Sequence, residues 1–222
     1  MIYGLLVLGL IGLLLLAKRQ AIADWQHPLI NILMGLNRLY CRYFHGLDGV
    51  PLGLPRQGAA IVVANHISGL DPLLLLAVSP RPLRFLMAAE EYHRFGLCWL
   101  FRAVGCIPVD RQGKPEQAFK AALQAMREGE VVAIFPQGKI HLPDEPMPRL
   151  KSGAVRLAYL SESMVIPLHI SGVKAQGDVF LPLLLPARAT IKRYPSLSTD
   201  KQQSGMALQR IADCISGAVP TP

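Results

Sequence analysis

The sequence predicts an α/β domain with a mixed, largely parallel sheet flanked by helices, preceded by an N-terminal membrane-anchoring helical segment. Three observations support this prediction. The 222-residue chain begins with an uninterrupted apolar run, then alternates short β-rich runs with helical stretches, and contains no internal repeat or low-complexity linker. Its length suits one domain with a substantial core. We place the helical segment at residues 1–46 and the α/β domain at residues 47–222.

The N-terminal run extends from Ile2 to Ala17 and has no polar face, which is typical of a helix in a membrane. A secretory signal peptide would carry positive charge before its apolar stretch, whereas Lys18 and Arg19 follow this one. A weak cleavage-site pattern at 21–23 keeps the signal peptide as the minor alternative. The sixteen residues of the run span about 24 Å as a helix, less than a ~30 Å hydrocarbon core. We therefore expect either a transmembrane or a re-entrant helix.

The following segment, residues 27–46, is predicted to form a second helix with one apolar stripe. The stripe consists of five residues at four-and-three spacing, with two arginines and an asparagine off it: Leu29, Leu33, Leu36, Tyr40 and Tyr43, against Asn31, Arg38 and Arg42. This pattern is typical of an amphipathic helix in the membrane interface, and an ordinary helix packed on the core is the alternative. If the first helix spans, the cations at 18–19 place the domain on the cytoplasmic side, the inner-membrane face in a bacterium.

The composition favours a membrane surface over nucleic acid as the partner. The formal net charge is +8, but aromatic residues make up only 7% of the chain and no nucleic-acid-binding motif is present. Attraction to anionic membrane lipids accounts for the charge more simply. The four cysteines form no CxxC pair and no metal-ligand spacing, so we expect reduced thiols and no metal site.

The predicted elements alternate along the domain. Strands are expected at 59–64, 83–88, 106–111, 131–136, 164–170 and within 185–195. Helices are expected from Asp71-Pro72, near 90–103, from Pro115 to Gly129, from Ser152, and over 204–217. Ligands of such sheets bind beyond the carboxyl ends of the strands. Three segments next to predicted strands are therefore candidate sites: 65–71, 105–111 and 136–139.

The segment 65–71 contains a histidine and an aspartate five positions apart. On a straight helix they would be rotated by about 140° from each other, so an interaction requires a turn, which Gly69 permits. Asp71 could then hold one imidazole nitrogen of His66 and leave the other to accept a proton. The alternative is a histidine that caps a strand end and an aspartate that caps a helix. Ser68 lacks a GxSxG context for a nucleophile, and Gly138-Lys139 lacks the remaining residues of a phosphate-binding P-loop.

The order of several blocks resembles the glycerolipid acyltransferases, the family of lysophosphatidic acid and glycerol-3-phosphate acyltransferases. The stretch NHISGLD is similar to that family's N-H-x4-D block, and GCIPVDR is similar to its second block. IFPQGK resembles the third block, F-P-E-G-T-R, and LKSGAVRLA and VIPLHISG resemble the two that follow. The resemblance covers about residues 65–172.

The resemblance implies the glycerolipid acyltransferase fold and acyl transfer from acyl-CoA or acyl-carrier protein to a glycerolipid hydroxyl. It implies His66 as general base, Asp71 as its orienting partner, and Arg111 as a residue that holds the acceptor's headgroup. Gly138 would let the backbone approach the ligand, or merely make a turn. The remaining substrate-binding candidates from the matching blocks are Asn65, Pro136, Gln137, Lys139 and Lys151. No metal or redox cofactor is implied.

The chain departs from the family pattern where the acceptor is expected to bind. Gln137 stands where the family usually has Glu, Lys139 where it has Thr, and Ile140 where it has Arg. Ala89 stands where the family often has Lys. We therefore expect a lysophospholipid acceptor, most directly 1-acylglycerol-3-phosphate. A phosphate-free hydroxyl lipid, such as an amino-acid lipid or a glycosylated isoprenoid, is the alternative, followed by a non-catalytic lipid-binding protein on the same fold.

Overall fold

A computed structural model describes residues 2–146, 148–198 and 204–218 of the chain. Its strands are β1 (Asp48–Gly49), β2 (Ala60–Ala64), β3 (Leu83–Ala88), β4 (Ile107–Val109), β5 (Val131–Ile134), β6 (Met164–Ser171) and β7 (Thr190–Arg193). They form one seven-stranded sheet in the order β1-β7-β6-β2-β5-β3-β4. All neighbouring strands are parallel except β6 and β7. The predicted mixed, largely parallel sheet is confirmed.

The helices alternate with these strands as predicted, and some of the predicted bounds are wrong. They are α1 (Ile2–Gln20), α2 (Pro28–Tyr43), α3 (Asp71–Val78), α4 (Ala89–Tyr92), α5 (Cys98–Ala103), α6 (Pro115–Arg127), α7 (Gly153–Leu160), α8 (Leu181–Leu184) and α9 (Ser204–Ile215). The single helix expected near 90–103 is two short helices, because the chain turns between them at Gly96, whose φ is 80°. The strand expected within 185–195 is only the four residues of β7, and α8 comes before it.

Helices cover both faces of the sheet, and β2 lies at its centre with all five residues buried. Val62 packs in a cluster with residues of α2 and α3, whereas Val63 packs in a second cluster with residues of α6, α7 and α9. Burial on both faces explains why β2 and β5 are continuous apolar runs in the sequence.

The parallel strands bring the predicted sites to one edge of the sheet. Val63 is in register with Ile134 of β5, and Ala64 is in register with Leu168 of β6. The segments that follow β2, β5 and β6 therefore leave the sheet side by side. β3 and β4 are parallel to these strands, so the residues after them reach the same edge.

The first two helices pack against each other, and α2 also packs on the domain. A Cβ atom at Gly35 would lie 1.7 Å from the Ala17 carbonyl oxygen, so only glycine allows this close crossing of α1 and α2. The Asn37 side-chain amide donates to the Leu73 carbonyl of α3, at 2.9 Å. Cys41 lies in the main core, where burial raises the pKa of its thiol to about 12. α2 thus joins α1 to the sheet.

The packing of α2 buries one part of its surface and leaves another part exposed. Its buried residues are Ile30, Gly35 and Cys41, none of which belongs to the predicted apolar stripe. Leu29 and Tyr43, at the two ends of that stripe, are exposed. The helix therefore contacts the domain and keeps part of its apolar stripe free.

The first helix leaves most of its apolar surface uncovered. Residues 3–16 are all exposed, and burial begins at Ala17. The span Tyr3–Gln20 is long and apolar enough to cross a membrane, by length and composition. The 19 residues of α1 correspond to about 28 Å of helix, close to the thickness of a hydrocarbon core.

Candidate active site

The turn that follows β2 brings His66 and Asp71 into contact. The His66 Nδ1 atom lies 2.8 Å from Asp71 Oδ2. The imidazole stacks on the Phe135 ring, with centroids 4.3 Å apart and planes within 16°. The His66 side chain is 19% exposed, whereas Asp71 is completely buried. The predicted interaction between His66 and Asp71 is therefore present, at the carboxyl edge of the sheet.

The Asp71 carboxylate is the hydrogen-bond centre of the turn. Its Oδ2 also accepts from the backbone N–H groups of Ile67, at 2.7 Å, and Ser68, at 2.8 Å. Its Oδ1 accepts from the Ser68 hydroxyl at 2.8 Å. The expected role of Asp71 as a helix cap is wrong, because its carboxylate faces back into the turn and Asp71 is itself the first residue of α3. The buried charge is compensated by these donors.

This arrangement sets the chemistry of the imidazole. An ionised carboxylate only accepts hydrogen bonds, so the proton of neutral His66 lies on Nδ1. The Nε2 atom then carries the free lone pair, and it has no hydrogen-bond partner among the described residues. A ring that is held on one nitrogen and open on the other can take a proton from a bound substrate.

Gly69 is required for a reason that differs from the expected one. Its φ is not in the left-handed region, so conformational freedom does not explain the glycine. A Cβ atom here would lie 2.0 Å from the Val179 carbonyl oxygen, and the Gly69 N–H donates to the Asp178 carbonyl at 3.1 Å. The segment after β6 therefore packs directly on the turn, and a side chain would push it away.

Neighbouring loops fix the backbone of the turn from both sides. The Gln137 Oε1 atom accepts from the His66 N–H at 2.6 Å, and the His66 carbonyl accepts from the His141 N–H at 2.8 Å. The Ile67 carbonyl accepts from the Gly177 N–H at 2.8 Å. Gln137 is buried and points inward. The Gln137 acceptor oxygen thus positions the turn, and the substrate contact expected at Gln137 stays a prediction.

Two other predicted substrate contacts also serve the fold. The buried Asn65 side chain donates to the Ile170 carbonyl at 2.8 Å and accepts from the Ile170 N–H at 2.7 Å, which extends the pairing of β2 with β6. Pro136 is buried, and its carbonyl accepts from the Lys151 N–H at 3.0 Å. These polar atoms bind within the protein, and the substrate contacts expected at both positions stay predictions.

The predicted cations lie on exposed loops at the same edge. Lys139 and Lys151 flank Gly138, whose φ is 76°. A Cβ atom at Gly138 would lie 2.8 Å from Lys151 Cε, so the lysine side chain packs beside this glycine. Arg111 follows the edge strand β4, three strands and about 14 Å from β2 at ~4.8 Å per strand. Arg111 is exposed.

Comparison with known proteins places this geometry in a family. Residues 44–171 match the family model described as Acyltransferase, which is more than half of the chain. The chain belongs to the Acyltransferase family. The match includes the turn at 65–71 and the loop at 136–139, and it ends at the last residue of β6.

Several curated acyltransferases resemble part of the chain. It is 24% identical over 128 residues to 1-acyl-sn-glycerol-3-phosphate acyltransferase of Bacillus subtilis, covering 57% of this chain and 63% of the relative. A probable enzyme of the same name from Mycoplasma pneumoniae is 32% identical over 132 residues, covering 55% and 47%. N-acylphosphatidylethanolamine synthase of Arabidopsis thaliana is 35% identical over 144 residues, covering 60% and 47%. The matches thus span 47% to 63% of these relatives' lengths.

A solved structure shares the fold of this Acyltransferase-family chain. The 1-acyl-sn-glycerophosphate acyltransferase from Thermotoga maritima superposes with a TM-score of 0.66 at 20% identity, covering 87% of this chain and 81% of that one. The predicted glycerolipid acyltransferase fold is therefore confirmed.

Sequence reasoning missed three contributors to the site. Phe135 supplies the stacking surface for His66, and Ser68 braces the aspartate through its hydroxyl. The buried His141 ring pairs with Glu145 through Nδ1 at 2.9 Å, while its backbone holds His66. The order Phe-Pro-Gln-Gly next to a strand end was a usable signal for Phe135, but nothing in the sequence distinguished His141. Within the described ranges, no group of three or more His, Cys, Asp or Glu residues could hold a metal ion.

Proposed function

We propose that the protein is a membrane-bound O-acyltransferase that moves a fatty acyl group from acyl-CoA or acyl-carrier protein to a lysophospholipid hydroxyl. The most direct acceptor is 1-acylglycerol-3-phosphate, the substrate class in the names of the bacterial relatives. The observation that carries the proposal is the His66–Asp71 pair, with Nδ1 held at 2.8 Å and Nε2 open at the sheet edge.

The pair supports a direct transfer without a covalent enzyme intermediate. His66 Nε2 removes the proton from the acceptor hydroxyl while the oxygen forms a bond to the thioester carbonyl carbon. The resulting imidazolium is stabilised by the buried Asp71 carboxylate. The carbon–sulfur bond then breaks, and the imidazolium returns its proton to the leaving thiolate. The products are the ester and the free thiol, and the base returns to its starting state.

Exposed cations at the same edge are suited to the acceptor's phosphate. Arg111 offers a planar fork for two phosphate oxygens, whereas Lys139 and Lys151 offer flexible point charges. The family carries an arginine where this chain has Ile140, and Lys139 can replace it as the cation that binds the phosphate. Gln137, which is buried against the turn, is left out of acceptor binding in this proposal.

The two N-terminal helices are proposed as the anchor. The exposed apolar surface of α1 supports insertion into the bilayer, and the packing of α2 on both α1 and α3 supports a fixed connection to the domain. Lys18 and Arg19 at the end of α1 favour a cytoplasmic catalytic domain. A lysolipid and an acyl chain both partition into bilayers, so an anchored catalytic edge would meet both substrates.

A second acceptor class is favoured by one observation. The Arabidopsis relative, at 35% identity, is named for synthesis of N-acylphosphatidylethanolamine, a product acylated on nitrogen. The same base could serve an amine acceptor on a phospholipid. The phosphate-free hydroxyl lipid also remains an alternative, supported by the absence of the family's arginine at Ile140.

Acyl transfer by the full chain in mixed micelles tests the proposal. Thiol release from acyl-CoA would be measured with lysophosphatidic acid, phosphatidylethanolamine, or an uncharged monoacylglycerol, and products would be identified by mass spectrometry. Acyl-carrier protein would then replace CoA as donor. We expect thiol release that depends on lysophosphatidic acid. Thiol release only with the amine lipid or only with the uncharged lipid would select the corresponding alternative. A lack of acceptor-dependent thiol release with both donors would contradict the proposed acyltransferase activity.

A further inference from the structure

Two segments beside the catalytic turn carry large exposed apolar side chains, which we call the apolar rim. The rim consists of Phe95 and Trp99 from the connection after β3, and Val179, Phe180, Leu181 and Leu184 from the connection after β6. Phe95 is fully exposed, Leu184 is 73% exposed, and Trp99 and Phe180 are each 54% exposed. Single exposed apolar residues are ordinary, but a cluster of this size usually marks an interaction surface.

The two segments of the rim meet, and they border the active site. The Arg94 guanidinium lies over the Phe180 ring, 4.9 Å from its centroid. The Val179 carbonyl packs at Gly69, inside the turn that carries His66. Both segments follow strands parallel to β2, so they lie at the carboxyl edge of the sheet where the imidazole is open.

The rim is also continuous with the proposed anchor. The Tyr40 hydroxyl of α2 donates to the Leu183 carbonyl of α8, within the second rim segment. The other side of α2 crosses α1 closely at Gly35. An uninterrupted line of contacts therefore runs from the exposed apolar helix α1, through α2, to the rim.

Charges near the rim fit an anionic surface. Arg42, Arg102 and Lys174 are exposed on the elements that carry or adjoin it. Of the nearby carboxylates, Glu91 pairs with Arg94 at 2.7 Å, Asp178 accepts from the backbone N–H of Phe180 at 2.7 Å, and Glu90 is exposed. Aromatic side chains next to cations are typical of segments that lie in the interface of an anionic bilayer.

We propose that the apolar rim inserts into the surface of an anionic phospholipid bilayer and forms a second membrane contact, separate from α1. This contact turns the open side of His66 towards the lipid surface, so that an acceptor leaves the bilayer directly into the site. The inference rests on the proposed function in one respect, namely that the acceptor is a membrane lipid.

Trp99 provides a direct reporter of the contact. The chain has two tryptophans, so Trp25→Phe leaves Trp99 as the single emitter in the full-length protein. The variant would be reconstituted into phosphatidylglycerol-containing vesicles with or without bromine on the lipid acyl chains. We expect the brominated lipids to quench Trp99. Unquenched Trp99 in a protein that remains attached to the vesicles would overturn the proposal, and a concentration-dependent emission shift with dimer formation would assign the rim to a second copy.

A variant with a matched control tests the consequence for catalysis. Phe95 is fully exposed, so Phe95→Asp should leave the fold intact and remove one inserting side chain. We expect the KM for acceptor in vesicles to rise about tenfold, because the variant loses the burial of one large apolar side chain. Tyr159→Asp, an exposed aromatic at the end of α7 and before the amino end of β6, should leave this KM unchanged.

A short-chain, water-soluble lysophosphatidic acid separates the two proposals. The rim predicts that Phe95→Asp leaves the KM for this soluble acceptor unchanged, and an equal rise for both acceptor forms would overturn the membrane contact. Transfer to the soluble acceptor without quenching of Trp99 would leave the proposed function standing and remove the rim contact. Quenching of Trp99 without acyl transfer to either form of the acceptor would leave the rim contact standing and remove the proposed function.

Discussion

The turn at residues 65–71 and the loops that carry Arg111 and Lys139 lie at the same edge of the sheet but are built in opposite ways. In the turn, the Asp71 carboxylate is fully buried and accepts from Ile67, Ser68 and His66. On the loops, Arg111 and Lys139 are exposed. A base must be held in one orientation to transfer a proton, whereas a phosphate can be bound by mobile cations at the surface. Under the proposed function, the acceptor could therefore change through the loops without disturbing the His66–Asp71 pair.

The strongest test of this contrast is Asp71→Asn. Asparagine keeps the size of the side chain but cannot balance an imidazolium, and its amide nitrogen would face N–H donors. We expect kcat to fall by about 10²–10⁴-fold. Steady-state kinetics checks this, with Ser68→Ala as the control that removes only one donor. A kcat within tenfold of the wild type in Asp71→Asn would show that the aspartate does not orient the base.

Gly69→Ala tests whether the turn depends on its packing against the segment after β6. The added Cβ would lie 2.0 Å from the Val179 carbonyl, so we expect a destabilisation of about 1–3 kcal/mol and a lower kcat. Thermal unfolding in detergent checks the first effect. Gly205→Ala in α9 is the matched control, because a Cβ there meets nothing within 4 Å and alanine favours the helix. Equal stability of the two variants would refute the close approach.

Two substitutions at Gln137 separate its shape from its charge. Gln137→Glu keeps an acceptor for the His66 N–H, so we expect most activity to remain. Gln137→Ala leaves that partly buried N–H without its partner, at a cost of about 1–3 kcal/mol, and should lower kcat more than it raises the acceptor's KM. If the alanine variant instead changes only KM, the residue contacts the acceptor, as the sequence first indicated.

The smallest effect is expected on the exposed loops. Lys139→Ala should raise the KM for lysophosphatidic acid by up to about fivefold with kcat unchanged, because exposed charge pairs contribute ~0.2–1 kcal/mol. Added salt should reduce the difference between variant and wild type. Lys120 is also exposed but lies on α6, so Lys120→Ala serves as the control. An unchanged KM in Lys139→Ala, together with good transfer to an uncharged lipid, would favour the phosphate-free acceptor.

The sequence predicted what depends on local pattern and missed what depends on distant contacts. β2 and β5 were evident as apolar runs because both faces of the sheet are covered. The His66–Asp71 pair was evident because a polar, glycine-containing bend follows such a run. The sequence did not reveal why position 69 must be glycine, because the atom that excludes a side chain there belongs to Val179, far along the chain.

Polar residues at strand ends show the same limit. Asn65 and Gln137 occupy motif positions, and a motif does not indicate whether their side chains point to a ligand or to the neighbouring backbone. The structure turns both inward, where they pair with Ile170 and His66. The break between α4 and α5 was also missed, because the apolar residues around Gly96 continue a helical pattern that the backbone does not follow.

The most direct test of the account is acyl transfer by purified wild type and His66→Ala, compared on lysophosphatidic acid with acyl-CoA. The imidazole is partly exposed and stacked on Phe135, so circular dichroism of the two proteins should agree. We predict acceptor-dependent thiol release by the wild type and a loss of about 10²–10⁴-fold in the variant. A folded, membrane-bound His66→Ala protein that keeps more than roughly a tenth of wild-type turnover would contradict His66 as the base.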